Sequence, residues 1–241
     1  MQKKGGVSFA FRSTFSNFAP EMKKKDNGSH RMQDGMLNTE NIRRSTGGVE
    51  YHPLRPFLPR QARVLFMGSF PPQRKRWCME FYYPNFNNDH WRIEGEVFFG
   101  NRNWFVDEGR KGFRLDDIVA FCQEKGIAFY DAATAVRRLQ DNASDRFLEV
   151  VEPTDVRALV AGLPRLRAVV TTGQRAAETL CATLGMDTVP GVNGVVDVPG
   201  MRNQEGEQVV LCRLPSSSRA YPLAFDRKVE AYRRMFDRYI R

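Results

Sequence analysis

Cysteine and histidine are scarce in this chain of 241 residues, with 4 and 3 copies, and their scarcity limits the chemistry it can perform. The cysteines lie far apart and form no C-x-x-C pair; they are Cys78, Cys122, Cys181 and Cys212. Zinc and iron–sulfur centres usually need closely spaced thiolates, so we expect neither a metal nor another cofactor. Isolated cysteines are typical small core residues of proteins in a reducing compartment.

Motifs of several common enzyme classes are also missing. The chain has no G-x-x-x-x-G-K-[ST] loop and no G-x-G-x-x-G loop, which argues against NTP hydrolysis and dinucleotide binding. It has no G-x-S-x-G turn, and its histidines are confined to His30, His52 and His90, which argues against a serine hydrolase.

Long apolar runs are absent as well. No segment approaches the roughly 18 consecutive apolar residues that a membrane span requires, and the N-terminal residues lack the apolar stretch of a signal peptide. We therefore expect a cytoplasmic protein without a membrane partner, and a monomer. A hydrophobic content of 41% is enough for the core of one α/β domain with extensions.

Positive charge is unevenly distributed along the chain. The net charge is +9, yet residues 1–60 hold 11 Lys and Arg against 5 Asp and Glu, and residues 61–241 hold 26 against 23. Residues 1–48 show no helical or strand period, which predicts a disordered basic extension before a folded domain at 49–241. Basic clusters at 74–76 and in the last helix suit phosphate binding, although such clusters are often ordinary solvent-exposed faces.

Four short apolar runs alternate with helical patterns in the folded part. They are typical of strands buried on both faces: Val64–Met67, Ile127–Tyr130, Ala168–Thr171 and Gln208–Cys212. This alternation predicts a parallel sheet, because parallel neighbours need crossover connections. Ligands of such sheets bind beyond the carboxyl ends of the strands. The residues after the four runs should therefore meet in space: Gly68-Ser69-Phe70-Pro71, Asp131, Thr172-Gly173 and Pro215-Ser216-Ser217-Ser218-Arg219.

Aromatic rings and amide side chains dominate the segment that follows the first run. The turn at 68–72 is followed by Tyr82 and Tyr83 and then by the polar stretch 85–91, which closes with Trp91. A tight turn at a strand end, stacking rings and amides suit a pocket for a flat polar heterocycle such as a nucleobase. Cleavage of an N-glycosidic bond fits such a pocket, because it needs mainly a positioned water and stabilised charge.

Five segments in register resemble the uracil-DNA glycosylase superfamily. They are GSFPP at 68–72, YYPNFNNDHW at 82–91, IAFYDAATAVRR at 127–138, TTGQRAAE at 171–178 and RLPSSSRA at 213–220. The resemblance is greatest to the hypoxanthine-DNA (deoxyinosine) glycosylases, which are related to the mismatch-specific uracil enzymes. It implies a three-layer α/β/α sandwich around a central four-stranded parallel sheet, in a protein that flips a damaged base out of DNA.

The resemblance also implies roles for individual residues. Asn88, three positions before Trp91, would be the catalytic asparagine, and Tyr83 would stack on the flipped base. The pocket at the strand ends would bind the base with Gly68, Ser69, Phe70, Tyr83, Asp131, Thr172 and Gly173. The second motif would grip DNA phosphates and push into the duplex; it consists of Pro215, Ser216, Ser217, Ser218 and Arg219.

The chain departs from the family at several of these positions. Phe70 stands where most branches have a catalytic Asp or Asn, a residue that the deoxyinosine branch also lacks. Leu214 stands where several branches have a histidine. The deoxyinosine branch reads His-Pro-Arg-Asn-x-Phe-Trp, whereas residues 85–91 keep only its Asn and Trp. These departures put the substrate, and the activity itself, in question.

Each predicted role has a structural alternative. Asn88 is also placed to cap the following helix, and Asp89 is the alternative proton acceptor, because an amide cannot take a proton. Tyr83 also suits a core position, Asp131 suits the capping of a turn, and Ser216–Ser218 suit an N-cap turn before the last helix.

The function that the sequence favours is removal of a deaminated base, hypoxanthine or uracil, from DNA during base excision repair. DNA carrying such a base is then the expected partner. One alternative is a non-catalytic nucleic-acid-binding protein of the same fold, motivated by Phe70 and Leu214. A nucleoside- or nucleotide-processing enzyme that uses the same pocket is a further alternative.

Overall fold

The structure is a computed structural model that describes residues 48–139 and 147–241, so the basic extension predicted at 1–48 lies outside the described residues except for its last position. In chain order the strands are β1 (Val49–Tyr51), β2 (Val64–Gly68), β3 (Val106–Asp107), β4 (Gly112–Phe113), β5 (Ile127–Asp131), β6 (Ala133–Arg138), β7 (Leu148–Pro153), β8 (Ala168–Thr172), β9 (Val195–Arg202) and β10 (Gln208–Leu214). The helices are α1 (His90–Phe99), α2 (Leu115–Lys125), α3 (Val156–Ala161), α4 (Gln174–Leu184) and α5 (Phe225–Tyr239).

The main sheet has the strand order β5-β2-β8-β10-β9. The four runs predicted as strands form its first four members, and neighbouring strands among these four are parallel. The expected four-stranded sheet is nevertheless wrong in one respect, because β9 pairs antiparallel with β10 and makes the sheet five-stranded and mixed. Pro199 and Gly200 interrupt the apolar pattern of β9, and such residues are tolerated in a strand at the sheet edge.

Burial explains why the apolar runs form strands of the main sheet. Every residue of β5 and β8 is buried, as are Val64–Met67 of β2, so both faces of the sheet are covered along these three strands. Full burial of each large apolar side chain contributes about 1.5–3 kcal/mol, which favours placing these runs inside the molecule. The adjoining helix α2 ends at Gly126, whose φ of 70° is left-handed, a conformation that a glycine adopts without strain.

One helix cap differs from what the sequence pattern predicts. Thr154 precedes an apolar helical pattern, and its hydroxyl predicts an N-cap for α3. In the structure Asp155 is the N-cap, and its side chain accepts a hydrogen bond from the Ala158 N–H at 3.0 Å. The Thr154 hydroxyl instead donates to the backbone carbonyl of Asp131 at 2.7 Å. Thr154 therefore fixes the carboxyl end of β5, where a ligand of the sheet would bind.

A second sheet, which the sequence did not reveal, lies next to this end of β5. It has the order β1-β6-β7, with antiparallel pairs, and β6 begins two residues after β5 ends. The chain after β1 continues along it, and the His52 N–H donates to the Thr134 carbonyl at 2.8 Å. The second sheet thus brings the segment around His52 to the carboxyl edge of the main sheet.

Among the described residues, no helix has both the length and the apolar character needed to cross a membrane. Within the same ranges, no three His, Cys, Asp or Glu side chains are grouped as ligands for a metal ion.

Candidate functional site

A cavity of about 650 Å³ opens at the carboxyl ends of β2, β5, β8 and β10. Segments from all four strand ends contribute to its wall, together with the amide-rich segment before α1. The predicted site residues that line it are Gly68, Ser69, Phe70, Tyr83, Asn88, Asp131, Thr172, Ser216, Ser217, Ser218 and Arg219. The predicted convergence of the four strand-end loops is therefore confirmed.

The amide-rich segment and the triple-serine loop are directly joined. Asn88 and Ser218 form an isolated antiparallel bridge, and the Asp89 N–H donates to the Ser217 carbonyl at 3.0 Å. Some 130 residues separate the two segments in the sequence, so only the folded chain can bring them together. The residues predicted to act on the base and those predicted to hold DNA thus share one wall of the cavity.

Tyr83 is held rigidly at the cavity wall. Its backbone has a φ of 50°, an uncommon conformation for a residue with a side chain, and functional sites often contain such strain. Its ring stacks on the His90 ring with centroids 3.7 Å apart, and its hydroxyl shares a 2.7 Å hydrogen bond with Thr172. Burial raises the pKa of Tyr83 well above its ordinary value, so the phenol stays neutral.

The carboxylate of Asp131 is oriented by a residue that the sequence did not indicate. The Nε2–H of His52 donates to Asp131 Oδ2 at 3.0 Å, and the His52 side chain is almost fully buried. The other oxygen, Oδ1, points toward Gly68, which is paired with Asp131 in the sheet register. Among the described residues that line the cavity, Asp131 alone carries a carboxylate.

Gly68 provides the room that this carboxylate occupies. A Cβ atom at position 68 would lie 2.7 Å from Asp131 Oδ1, closer than real Cβ contacts allow. We expect Gly68→Ala to displace the Asp131 carboxylate and to lower the free energy of unfolding by about 1–3 kcal/mol, the usual cost of overpacking.

Urea denaturation measures that cost, and the double variant Gly68→Ala/Asp131→Ala is its control. Removing the carboxylate should relieve the collision, so the added alanine should cost less in the Asp131→Ala background. An equal cost in both backgrounds would contradict the proposed collision.

Asn88 lines the cavity and also makes a contact of the kind expected from its structural alternative. The N-cap of α1 is Asp89, without a capping hydrogen bond from its side chain, while Asn88 Oδ1 accepts a hydrogen bond from the His90 N–H at 2.9 Å. This contact fixes the rotamer of Asn88 at the cavity wall. The second lone pair of Oδ1 is then available to a ligand or a water.

Asp89 lies behind the cavity wall and does not line it. Its carboxylate is buried, with Oδ1 2.7 Å from Arg219 Nε and Oδ2 3.9 Å from Lys228 Nζ. Burial lowers the pKa of Lys228, an effect that the charge of Asp89 opposes. The geometry places Asp89 as an anchor for basic side chains, which disfavours its alternative role as proton acceptor.

The triple-serine loop exposes hydroxyl groups to the cavity. Ser216 Oγ accepts a hydrogen bond from the Ser218 N–H at 3.2 Å, and Ser218 Oγ accepts one from the Ala220 N–H at 3.3 Å. Lys228 donates to the Ser218 carbonyl at 2.7 Å from the protein interior. The hydroxyl hydrogens remain free of these contacts and can donate to an anionic ligand.

Two predicted site residues serve the loop without lining the cavity. The Pro215 carbonyl accepts a hydrogen bond from the Tyr232 hydroxyl at 3.3 Å. Gly173 has a φ of 101°, and a Cβ at this position would lie 3.6 Å from Ser216 Cβ. Pro215 and Gly173 therefore support the Ser216–Ser218 loop. Neither residue lines the cavity in which we expect the base to bind.

Phe70 lines the cavity and also packs against the second sheet. It packs with Ala133, Val136 and Leu148, and its ring contacts that of His52 edge to face at 5.3 Å. The sequence did not indicate His52 as the partner of Asp131, nor Leu54 and Arg138 as lining residues. The aromatic and amide-rich segment did indicate a pocket, and its residues Tyr82, Asn85 and Asn87 line the cavity, as does Arg76 of the basic cluster. No sequence spacing links His52 to Asp131, 79 positions away, although the proline-rich segment after His52 marks the chain as locally stiff.

Comparison with known proteins shows that the fold of this chain is similar to that of a solved structure. No family model and no curated protein matches the chain. Among 16 solved chains that match is the solution NMR structure of a candidate uracil DNA glycosylase from Methanosarcina acetivorans, with 20% sequence identity and a TM-score of 0.51. The match covers 79% of this chain and 99% of that chain.

At this level of identity the likeness shows a shared fold. The mixed α/β fold of this chain is thus similar to that of a uracil DNA glycosylase-like protein. The particular resemblance to the deoxyinosine branch stays a prediction.

Proposed function

We propose that this protein is a metal-free DNA glycosylase that removes a deaminated base, hypoxanthine or uracil, from DNA. The observation that carries the proposal is the shared cavity, in which the amide-rich segment is bridged to the triple-serine loop at Asn88 and Ser218. The wall that these two segments share can thus hold a base next to the backbone of its strand. The fold that this chain shares with a candidate uracil DNA glycosylase supports the same proposal.

Base flipping brings the target nucleotide into the cavity. Its cost is a few kcal/mol and is smallest for a mispaired base, which favours lesions that pair weakly. Stacking on an aromatic ring contributes about 1–3 kcal/mol per base, and Tyr83 and Phe70 are two of the rings that line the cavity. The rigid support of Tyr83 by His90 and Thr172 keeps its ring in place for the incoming base.

The edge of the base meets polar groups at the strand ends. Asp131 offers a carboxylate oxygen, which accepts a hydrogen bond from an N–H group. Hypoxanthine and uracil each carry a ring N–H, so either can supply this donor. Thr172 and the loop at Gly68 and Ser69 add further groups to the same wall.

Asn88 orients the attacking water through the free lone pair of Oδ1. The water oxygen forms a bond to the sugar carbon as the bond from that carbon to the base nitrogen breaks. The electron pair of the broken bond leaves with the base, and the proton released by the water passes to solvent. Orientation of the water by a fixed side chain lowers the barrier because the reacting atoms are already in place.

A lesion panel tests the proposal directly. Purified protein is incubated with duplexes that carry inosine, uracil or xanthine, and abasic sites and free bases are quantified. We expect abasic product from at least one of the deaminated bases and none from the matched undamaged duplex. Absence of product from every lesion would overturn the enzymatic proposal.

A non-catalytic nucleic-acid-binding protein is the second candidate. Phe70 lines the cavity at the position where most branches of the resembled family have a carboxylate or an amide, and Leu214 is buried. This candidate predicts salt-dependent DNA binding without cleavage of any N-glycosidic bond. The lesion panel combined with a binding titration separates the two candidates.

A further inference from the structure

His52 lies behind the cavity wall, in contact with a residue that we expect to meet the base. It does not line the cavity, and its side chain is 2% exposed. Its Nε2–H donates to Asp131 Oδ2 at 3.0 Å, and Asp131 does line the cavity. A change of charge on the imidazole therefore reaches the cavity through this carboxylate.

The other ring nitrogen of His52 has a partner in either protonation state. Nδ1 lies 2.9 Å from the Leu54 carbonyl oxygen and 3.2 Å from the Leu54 nitrogen. A neutral imidazole that donates from Nε2 can accept the Leu54 N–H at Nδ1, whereas a protonated imidazole can donate from Nδ1 to the Leu54 carbonyl. His52 can thus gain or lose a proton without leaving Nδ1 buried and unpaired.

The rings packed around His52 carry no charge. They belong to Phe70, Tyr82 and Tyr130, with centroids 5.3, 6.3 and 4.7 Å from that of the imidazole. Burial raises the pKa of Tyr82 and of Tyr130, and the charge of Asp131 adds to this effect, so both phenols stay neutral at physiological pH.

Two charged side chains of the nearby second sheet are paired with each other. The Arg138 guanidinium lies 5.7 Å from the Phe70 ring centroid, and its Nε lies 3.0 Å from both carboxylate oxygens of Glu50. The ion pair of Asp131 is the one with His52. The protonation state of the imidazole therefore decides whether this pair is negative or neutral overall.

The carboxylate of Asp131 has opposite effects on base binding and on bond cleavage. In the proposed function it accepts a hydrogen bond from the ring N–H of the base, and the base then leaves with the electron pair of the broken bond. A fixed negative charge beside the departing base opposes this development of charge. A protonated His52 makes the pair neutral and removes the opposition.

Resting on the proposed function, we infer that His52 is a positioning residue whose protonated form cancels the charge of the base-binding carboxylate. It holds Asp131 in place in both protonation states, and the proton stays on the imidazole throughout. Excision is faster at low pH, where the imidazole is charged. It slows as the pH rises through the range of about 5–8 in which histidine side chains lose their charge.

Single-turnover excision by His52→Gln tests this role. The glutamine side chain can also donate an N–H to Asp131, but it has no charge at any pH. Rates are measured from about pH 5 to about pH 9, which spans the titration of an imidazole, on the duplex whose lesion is released fastest. The ratio of the unaltered rate to the variant rate cancels effects of pH on the lesion and on the water.

We expect this ratio to be about 10–100 at the acidic end and to fall toward unity as the imidazole loses its proton. Its size is the effect of a unit charge about 6–10 Å from the base at an effective dielectric constant of about 20.

Asp131→Asn provides the matched background. An asparagine keeps an acceptor oxygen and removes the negative charge, so a charge on His52 has nothing to cancel. His52→Gln should therefore change the rate much less in this background than in the unaltered protein. Thermal unfolding verifies that all four proteins are folded at the assay temperature.

The possible results are distinct. A ratio that is the same at every pH shows that His52 only orients Asp131, which overturns the charge role and leaves the proposed glycosylase activity standing. An equal effect of His52→Gln in both backgrounds overturns the charge role as well. Absence of abasic product from every lesion at every pH overturns both the charge role and the proposed function.

Discussion

Replacement of Asn88 by alanine is expected to slow base excision about 100-fold or more under single-turnover conditions, with little change in DNA affinity. The reason is that Asn88 lines the cavity and its Oδ1 is held by the His90 N–H at 2.9 Å. Loss of a fixed water ligand reduces the fraction of encounters in which the water is aligned for attack, and such misplacement costs about this factor. The measurement is the rate of abasic-site formation with enzyme in excess over a lesion-bearing duplex.

Asn88→Asp is the matched control for that experiment. An aspartate retains an oxygen that can accept from the His90 N–H and orient a water, so it should keep more activity than the alanine variant. Loss of the local hydrogen bond in Asn88→Ala should cost about 1 kcal/mol of stability, and thermal unfolding verifies that the variant is folded at the assay temperature. Equal rates for Asn88→Ala and the unaltered protein would remove Asn88 from the mechanism.

A second large effect is expected at the buried pair of His90 and Glu94. Both side chains have 0% exposure, and His90 Nε2 lies 2.8 Å from Glu94 Oε1 one turn along α1. The two atoms are close but do not meet hydrogen-bond geometry, so the contact between the two side chains is electrostatic. His90→Leu leaves the carboxyl group of Glu94 buried without its partner, and breaking a buried pair in this way typically costs about 3–5 kcal/mol. The free energy of unfolding in urea should fall by that amount.

The double variant His90→Leu/Glu94→Leu provides the test of this cause. When both members of a buried pair are replaced by apolar residues of similar size, the desolvation cost of the pair disappears together with its attraction. We therefore expect the double variant to be more stable than His90→Leu alone. A double variant whose loss equals the sum of the two single losses would show that the pair is not coupled.

The pair also connects the core to the candidate site. The His90 ring stacks on the Tyr83 ring with centroids 3.7 Å apart, and it packs edge to face against Phe66 of β2 and Phe129 of β5. The orientation of Tyr83 at the cavity thus depends on the packing of the sheet. A stable double variant with slower excision would be the expected consequence of a less well supported Tyr83 ring.

Local sequence patterns were sufficient to predict the four parallel strands of the main sheet. The runs at 64–67 and 127–130 are apolar throughout, because a strand that is buried on both faces has no solvent-exposed side to carry polar residues. Gly126 and Gly185 follow apolar helical patterns in the sequence, and α2 and α4 end at these two glycines. The edge strand β9 and the second sheet escaped prediction, because their residues alternate irregularly and gain their pairing from neighbours that are distant in sequence.

The amino-acid sequence was enough to show which chemical groups could gather at the site. The amides, rings and hydroxyls that line the cavity follow the strand ends in the chain, and the carboxyl ends of parallel strands must meet at one edge of a sheet. The contacts of each side chain at the site, in contrast, could be seen only in the folded protein. The pairings of His52 with Asp131 and of Asp89 with Arg219 join positions 79 and 130 residues apart, and no local pattern encodes contacts over such distances.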